Sequence, residues 1–142
     1  MNVKAVTLME LMVVVIIIGV LATLALPAFR GMKERALNKE AMANLKLIQA
    51  AERIYRMEYG VYRACGNTGV VKTQLKLDLS DQNWEYRTTV PGGDLDARAT
   101  RDITRGAPAA WVREFGIDEI REEACCVSGN CPSDMPTCPG GP

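Results

Sequence analysis

Three patterns of hydrophobic and polar positions follow one another along the chain. From Leu11 to Phe29, nineteen consecutive residues carry no charge and most are apolar. At about 1.5 Å per residue a helix of that length reaches roughly 28 Å, close to one hydrocarbon thickness. Beyond Pro27 the pattern becomes amphipathic. Leu37, Ala41, Leu45, Ile48, Ala51 and Tyr55 recur at steps of three and four, and Lys39, Glu40, Lys46, Glu52, Arg53 and Arg56 are assigned to other faces. Together the two patterns predict one helix from about Val6 to Glu58, apolar all round at first and packed through a single seam later. Pro27 removes one backbone bond inside it, a defect that membrane helices tolerate.

The third pattern starts after Gly60, which can take the left-handed conformation that ends a helix. Val61 to Thr73 has no sustained period and contains Gly66 and Gly69, so it reads as a loop. Alternation then predicts four strands: Leu75 to Leu79, Trp84 to Val90, Ala97 to Arg101 and Ala110 to Ile117. Turn residues separate them at Ser80 to Asn83, Pro91 to Asp94 and Arg105 to Pro108. The expected fold is α+β: a long N-terminal helix packed on a four-stranded antiparallel sheet, followed by a cysteine-rich C-terminal tail. Leu77, Trp84, Tyr86, Trp111 and Phe115 are its expected core, and 142 residues leave room for one modest domain beyond the helix.

Composition removes several classes of function. Lys plus Arg and Asp plus Glu both number 17, so no basic excess points to DNA or another nucleic acid as a general ligand. Histidine is absent, and there is no glycine-rich phosphate loop or GxSxG nucleophile context. Asp118-Glu119 and Glu122-Glu123 read as a solvated face, because adjacent residues do not converge on one substrate. No enzyme and no cofactor are expected.

One carboxylate disturbs the first pattern. Glu10 stands at the edge of the apolar run, inside the same predicted helix, where a charge near bilayer depth costs about 2.5–3.5 kcal/mol on insertion scales. Ahead of it Lys4 is the basic flank that places the N-terminus on the cytoplasmic side. Ala5 is a small residue before the apolar core, whereas a secretory signal carries its small cleavage residue after that core.

At these residues the chain resembles the type IV pilins and the related pseudopilins, whose N-terminal signature is close to G/A-FTLIEL. Ala5 stands where that signature usually has Gly, and Val6 where it has the N-methylated Phe. Thr7, Leu8, Met9, Glu10 and Leu11 follow with one Ile-to-Met change. The resemblance covers Lys4 to about Tyr62 and implies a leader peptide of residues 1–5, removed before Val6 by a prepilin peptidase and methyltransferase. It implies that residues 6–29 form the membrane and filament-core half of the helix and residues 30–59 its amphipathic half. Residues 60–124 then form the head, and residues 125–142 the tail. Glu10 becomes an assembly residue that meets the N-terminal amine of a neighbouring subunit, a pairing that avoids the cost of burying either charge alone. Gly19 and Pro27 become the places where the helix kinks or melts.

All five cysteines follow the apolar run, in the part expected outside the cytoplasm, where disulfides form. Cys125, Cys126, Cys131 and Cys138 crowd a Gly- and Pro-rich tail, and Cys65 lies in the predicted loop. A bridge from Cys65 to Cys125 or Cys126 would contribute roughly 4–5 kcal/mol by chain entropy, against about 2–3 for Cys131 to Cys138. Two bridges and one free thiol can be arranged in fifteen ways, and the spacing leaves all of them open. Zinc is the competing use of clustered cysteines. The adjacent Cys125-Cys126 pair and the lack of paired CxxC units argue against it.

The resemblance therefore implies a subunit held in the inner membrane and then polymerised with copies of itself into an extracellular type IV pilus for adhesion, twitching motility or DNA uptake. A pilus assembly platform and ATPases are the implied partners. A major pseudopilin of type II secretion is the alternative within the family, although no calcium-binding loop or DPWG-like segment appears. An uncleaved, membrane-anchored periplasmic binding module is the alternative outside it. An electron-conducting filament is disfavoured, since Phe29, Tyr55, Tyr59 and Tyr62 are sparse.

Overall fold

The computed structural model describes residues 7–101 and 103–139, apart from the side chains of residues 24–28. Helix α1 runs without interruption from Leu8 to Tyr59, through both Gly19 and Pro27. Its end is set by Gly60, whose φ of 79° is the left-handed value and whose N–H reaches the Arg56 carbonyl at 2.8 Å. The chain divides into two compact units, one ending at Ala36 and the other beginning at Leu37.

In the first unit the described side chains of α1 from Leu8 to Thr23 are all exposed, with Leu8 at 86% and Ile16 at 63%. Among the described residues no helix is long and apolar enough to cross a membrane. The crossing expected from Leu11 to Phe29 includes residues 24–28, whose side chains lie outside the described ones.

In the second unit, α1 packs Ala41, Leu45 and Ile48 into a core with Trp84, Tyr86, Phe115 and Ile117. The Trp84 and Phe115 rings stack at 5.1 Å between centroids. A second helix, α2 (Thr68–Leu75), lies where a loop is expected. Asn67 caps it by accepting the Val70 N–H at 3.0 Å, and Lys76 ends it with a positive φ of 53°. Asn67-Thr68-Gly69 reads equally as turn chemistry, which conceals the cap.

Four antiparallel strands follow in the order β1-β2-β3-β4: β1 (Glu85–Thr89), β2 (Asp96–Arg101), β3 (Arg113–Asp118) and β4 (Cys125–Gly129). The four-stranded antiparallel sheet is as expected, but its membership differs. Leu75 to Leu79 forms the end of α2 and an irregular segment. The fourth strand comes instead from the cysteine tail, paired with β3 through Phe115↔Cys126 and Gly116↔Cys125. Trp111 and Leu77 are half-buried, whereas Leu79 and Leu95 are buried. Alternation within Leu75–Leu79 is short enough to fit a helix end as well as a strand.

Candidate functional site

The start of α1 is a reciprocal cap. Thr7 Oγ1 accepts the Glu10 N–H at 3.2 Å, and Glu10 Oε2 accepts the Thr7 N–H and hydroxyl, each at 3.3 Å. A Thr followed three residues later by Glu satisfies two helix-start donors at once and puts a negative charge at the positive end of the helix dipole. Glu10 therefore has a partner within its own chain. The spacing that signals this cap, Thr-x-x-Glu, is the same stretch that carries the assembly signature. Ala5 and Val6 lie outside the described residues. Gly19 and Pro27 both fall within continuous helix, and a Cβ on Gly19 would meet nothing within 4 Å.

Glu52, assigned to a polar face from its charge, is wholly buried. It follows Ile48 by one helical turn and so lies on the seam itself. Its Oε2 accepts the Arg63 N–H at 2.8 Å, and its Oε1 lies 3.3 Å from the Thr88 hydroxyl. That hydroxyl donates to the Arg63 carbonyl at 2.6 Å and accepts the Cys65 N–H at 3.0 Å. Burial pushes the Glu52 carboxyl above its ordinary value, against the opposing hydrogen bonds from Arg63 and Thr88. The group ties α1 to the segment after it and to β1.

The tail is closed by Cys125–Cys138 and Cys126–Cys131, and Cys65 is a buried free thiol. The bridges from Cys65 to Cys125 or Cys126 and from Cys131 to Cys138 do not form. Adjacent cysteines on a strand point to opposite faces, so Cys125 and Cys126 take different partners. Cys65 is held beside β1 by paired backbone hydrogen bonds with Thr88, at 3.0 and 2.8 Å. Burial also raises the Cys65 thiol above its ordinary value. It is not poised as a nucleophile.

The outer face of the sheet is charged and internally paired. Arg87 meets Glu114 at 2.7 Å, Arg98 meets Asp96 at 2.9 Å, and Arg121 meets Asp118 at 2.6 Å. A cleft of about 180 Å³ lies among Asp96, Arg98, Asp118, Arg121 and Cys138. Its arginines already hold carboxylates, which makes it a poor cradle for an anionic cofactor.

The long helix capped at Thr7 and Glu10, the four-stranded head and the disulfide-closed tail belong to a chain whose sequence is similar to proteins of one kind. The chain is 31% identical over 118 residues to the type IV major pilin protein PilA of Myxococcus xanthus, covering 81% of this chain and 49% of that protein. It is 36% identical over 118 residues to the type IV major pilin protein PilE1 of Neisseria gonorrhoeae, covering 82% and 47%. The chain belongs to the type IV pilin and pseudopilin family.

The pseudopilin branch is represented by the type II secretion system core protein G of Pectobacterium carotovorum. It is 38% identical over 56 residues, which are 39% of this chain and 36% of that protein. The chain spans about half the length of the major pilins it matches. No family model matches it, and no solved structure does.

Proposed function

We propose that this chain is a structural subunit that polymerises into a type IV pilus filament. The observation that carries the reading is the first unit's α1. Its described side chains from Leu8 to Thr23 are exposed and nearly all apolar, and one carboxylate stands at the start. At about 25 cal/mol per Å² such a surface needs cover, which lipid supplies before assembly and other copies supply afterwards. The similarity to major pilins over four fifths of the chain supports the same reading.

In this reading the chain is cut before Val6, which becomes the methylated terminus, and it waits in the inner membrane with Leu11 to Phe29 as its span. Glu10 then exchanges its cap on Thr7 for the amine of a neighbouring copy. Gly19 and Pro27 mark the stretch that gives way as subunits are drawn together. A prepilin peptidase and methyltransferase, an assembly platform and ATPases are the proposed partners, and charge lends no support to DNA. The pilus serves adhesion, twitching motility or DNA uptake.

The second reading, a type II secretion pseudopilus, is favoured only by the shorter match to core protein G. Intact mass and N-terminal sequencing of sheared surface filaments test the proposal. A chain starting at methylated Val6 supports it. A chain starting at Met1 and confined to membranes overturns it in favour of an anchored periplasmic module.

A further inference from the structure

Two exposed features of the second unit fit each other and not themselves. On α1, Ala43, Lys46, Leu47 and Ala50 are all exposed. Their spacing of i, i+3, i+4 and i+7 outlines a hole of the kind that receives one knob from a packing partner. The two alanines make it shallow, Leu47 at 45% exposure makes one wall apolar, and Lys46, with exposed Lys39 one heptad earlier, puts positive charge along its edge.

The turn joining β3 to β4 is the counterpart. Ile120 stands 81% exposed at its tip, followed by Glu122 and Glu123, both exposed. The turn is built rigidly. Asp118 Oδ1 accepts the N–H groups of Ile120 and Arg121 at 3.1 and 2.9 Å. Gln49 Nε2 donates to the Arg121 carbonyl at 2.8 Å, and Arg53 Nη2 donates to the Glu119 carbonyl at 2.6 Å. The support holds an aliphatic side chain out in water.

We infer that Ile120 of one copy seats in the Ala43–Lys46–Leu47–Ala50 hole of a second copy, with Glu122 and Glu123 against Lys39 and Lys46. Apolar meets apolar and acid meets base, which sets the pairing and disfavours turn against turn. The patches are different surfaces, so the contact is head-to-tail and propagates into a filament instead of closing as a pair. The inference rests on the filament reading and adds to it a contact between heads.

Replacing Ala43 and Ile120 together by cysteine (A43C/I120C) in the full chain tests it, with copper–phenanthroline oxidation of sheared filaments and non-reducing gels. A ladder of covalent multimers in filaments, absent from detergent-dispersed monomers and from the I120C single variant, is the expected result. Filaments that form without a ladder overturn the contact and leave the pilus reading standing, as do adducts whose mass identifies another protein. Absence of filaments from the unsubstituted chain overturns both. As a second variant, Ile120→Glu is expected to lower filament yield at least ten-fold with the head still folded, and unchanged yield overturns the contact.

Discussion

Glu10 folds back on Thr7, its carboxylate 3.3 Å from both the Thr7 backbone nitrogen and the Thr7 hydroxyl. A charge that would be costly in lipid is thereby partly satisfied by the helix that carries it. In the proposed filament this cap is the reference state from which Glu10 leaves to meet a neighbour's amine, so removing either partner has separable effects. Thr7→Val is expected to loosen the first turn by about 1 kcal/mol, seen as faster amide exchange at Leu8 to Leu11 in micelles, with filaments still formed. Glu10→Ala is expected to lose filaments. Equal assembly by Glu10→Ala and the parent chain in a shearing assay would remove Glu10 from the mechanism.

The buried network around Glu52 predicts a sharp contrast between two substitutions. Glu52→Ala leaves the Arg63 N–H facing a cavity without its acceptor and is expected to cost about 1–3 kcal/mol in denaturant unfolding. Glu52→Gln keeps an acceptor without the charge and is expected to cost less. Because burial raises the folded-state pKa of Glu52, its contribution is fully present below the unfolded value and is lost as pH rises through the folded one. The Gln variant should therefore show a flatter stability profile as pH rises through and beyond the ordinary carboxylate range, and identical profiles would count against the network.

Tyr86 supplies a second pH signature. Burial pushes its phenol up to about 12 from 10, opposed by the hydrogen bond that Asn44 Nδ2 donates to its oxygen at 2.8 Å. A raised folded-state value means stability that is intact below pH 10 and declines between about pH 10 and 12. Two pH units correspond to about 2–3 kcal/mol. Absorbance of phenolate during alkaline unfolding checks this, and Tyr86→Phe should remove that part of the decline.

The tail's two bridges differ in loop length. Cys125 and Cys138 are 13 residues apart and Cys126 and Cys131 only 5, which corresponds to about 3 and about 2 kcal/mol of chain-entropy stabilisation. Cys125→Ser/Cys138→Ser is expected to lower the thermal midpoint more than Cys126→Ser/Cys131→Ser. In the parent chain iodoacetamide should label Cys65 only after denaturation, because the thiol is fully buried. Rapid labelling of native Cys65 would contradict the packing.

Gly129 ends β4 with a φ of 87°, and a Cβ there would sit 2.5 Å from the Val112 carbonyl oxygen and 2.8 Å from Arg113 Cα. Both obstacles are backbone and cannot swing aside. Gly129→Ala is expected to cost more than the 1–3 kcal/mol typical of strain alone, measured by thermal unfolding. Gly60→Ala has the strain without the clash and should cost less.

The sequence by itself determined the features that depend on local period and local chemistry. An uncharged run of nineteen residues and a seam at steps of three and four specify α1 whatever surrounds it, and Gly60 specifies where it stops. The Thr7-x-x-Glu10 spacing carries both the family signature and the cap. Trp84, Tyr86 and Phe115 are core because no other place could cover such large apolar surfaces.

Tertiary structure decided what depends on distant neighbours. Asn67 starts a helix instead of a turn because α2 can pack Val71 into the core. The fourth strand is drawn from the cysteine tail because β3 offers an edge there and two disulfides hold the chain against it. Glu52 is buried because Arg63 and Thr88 arrive to bind it, and Cys65 stays reduced because it pairs with β1 at Thr88, at the opposite edge of the sheet from β4 and its cysteines. Charge and period assign a residue to a face, but only the packed chain brings the partner that makes burying a carboxylate tolerable.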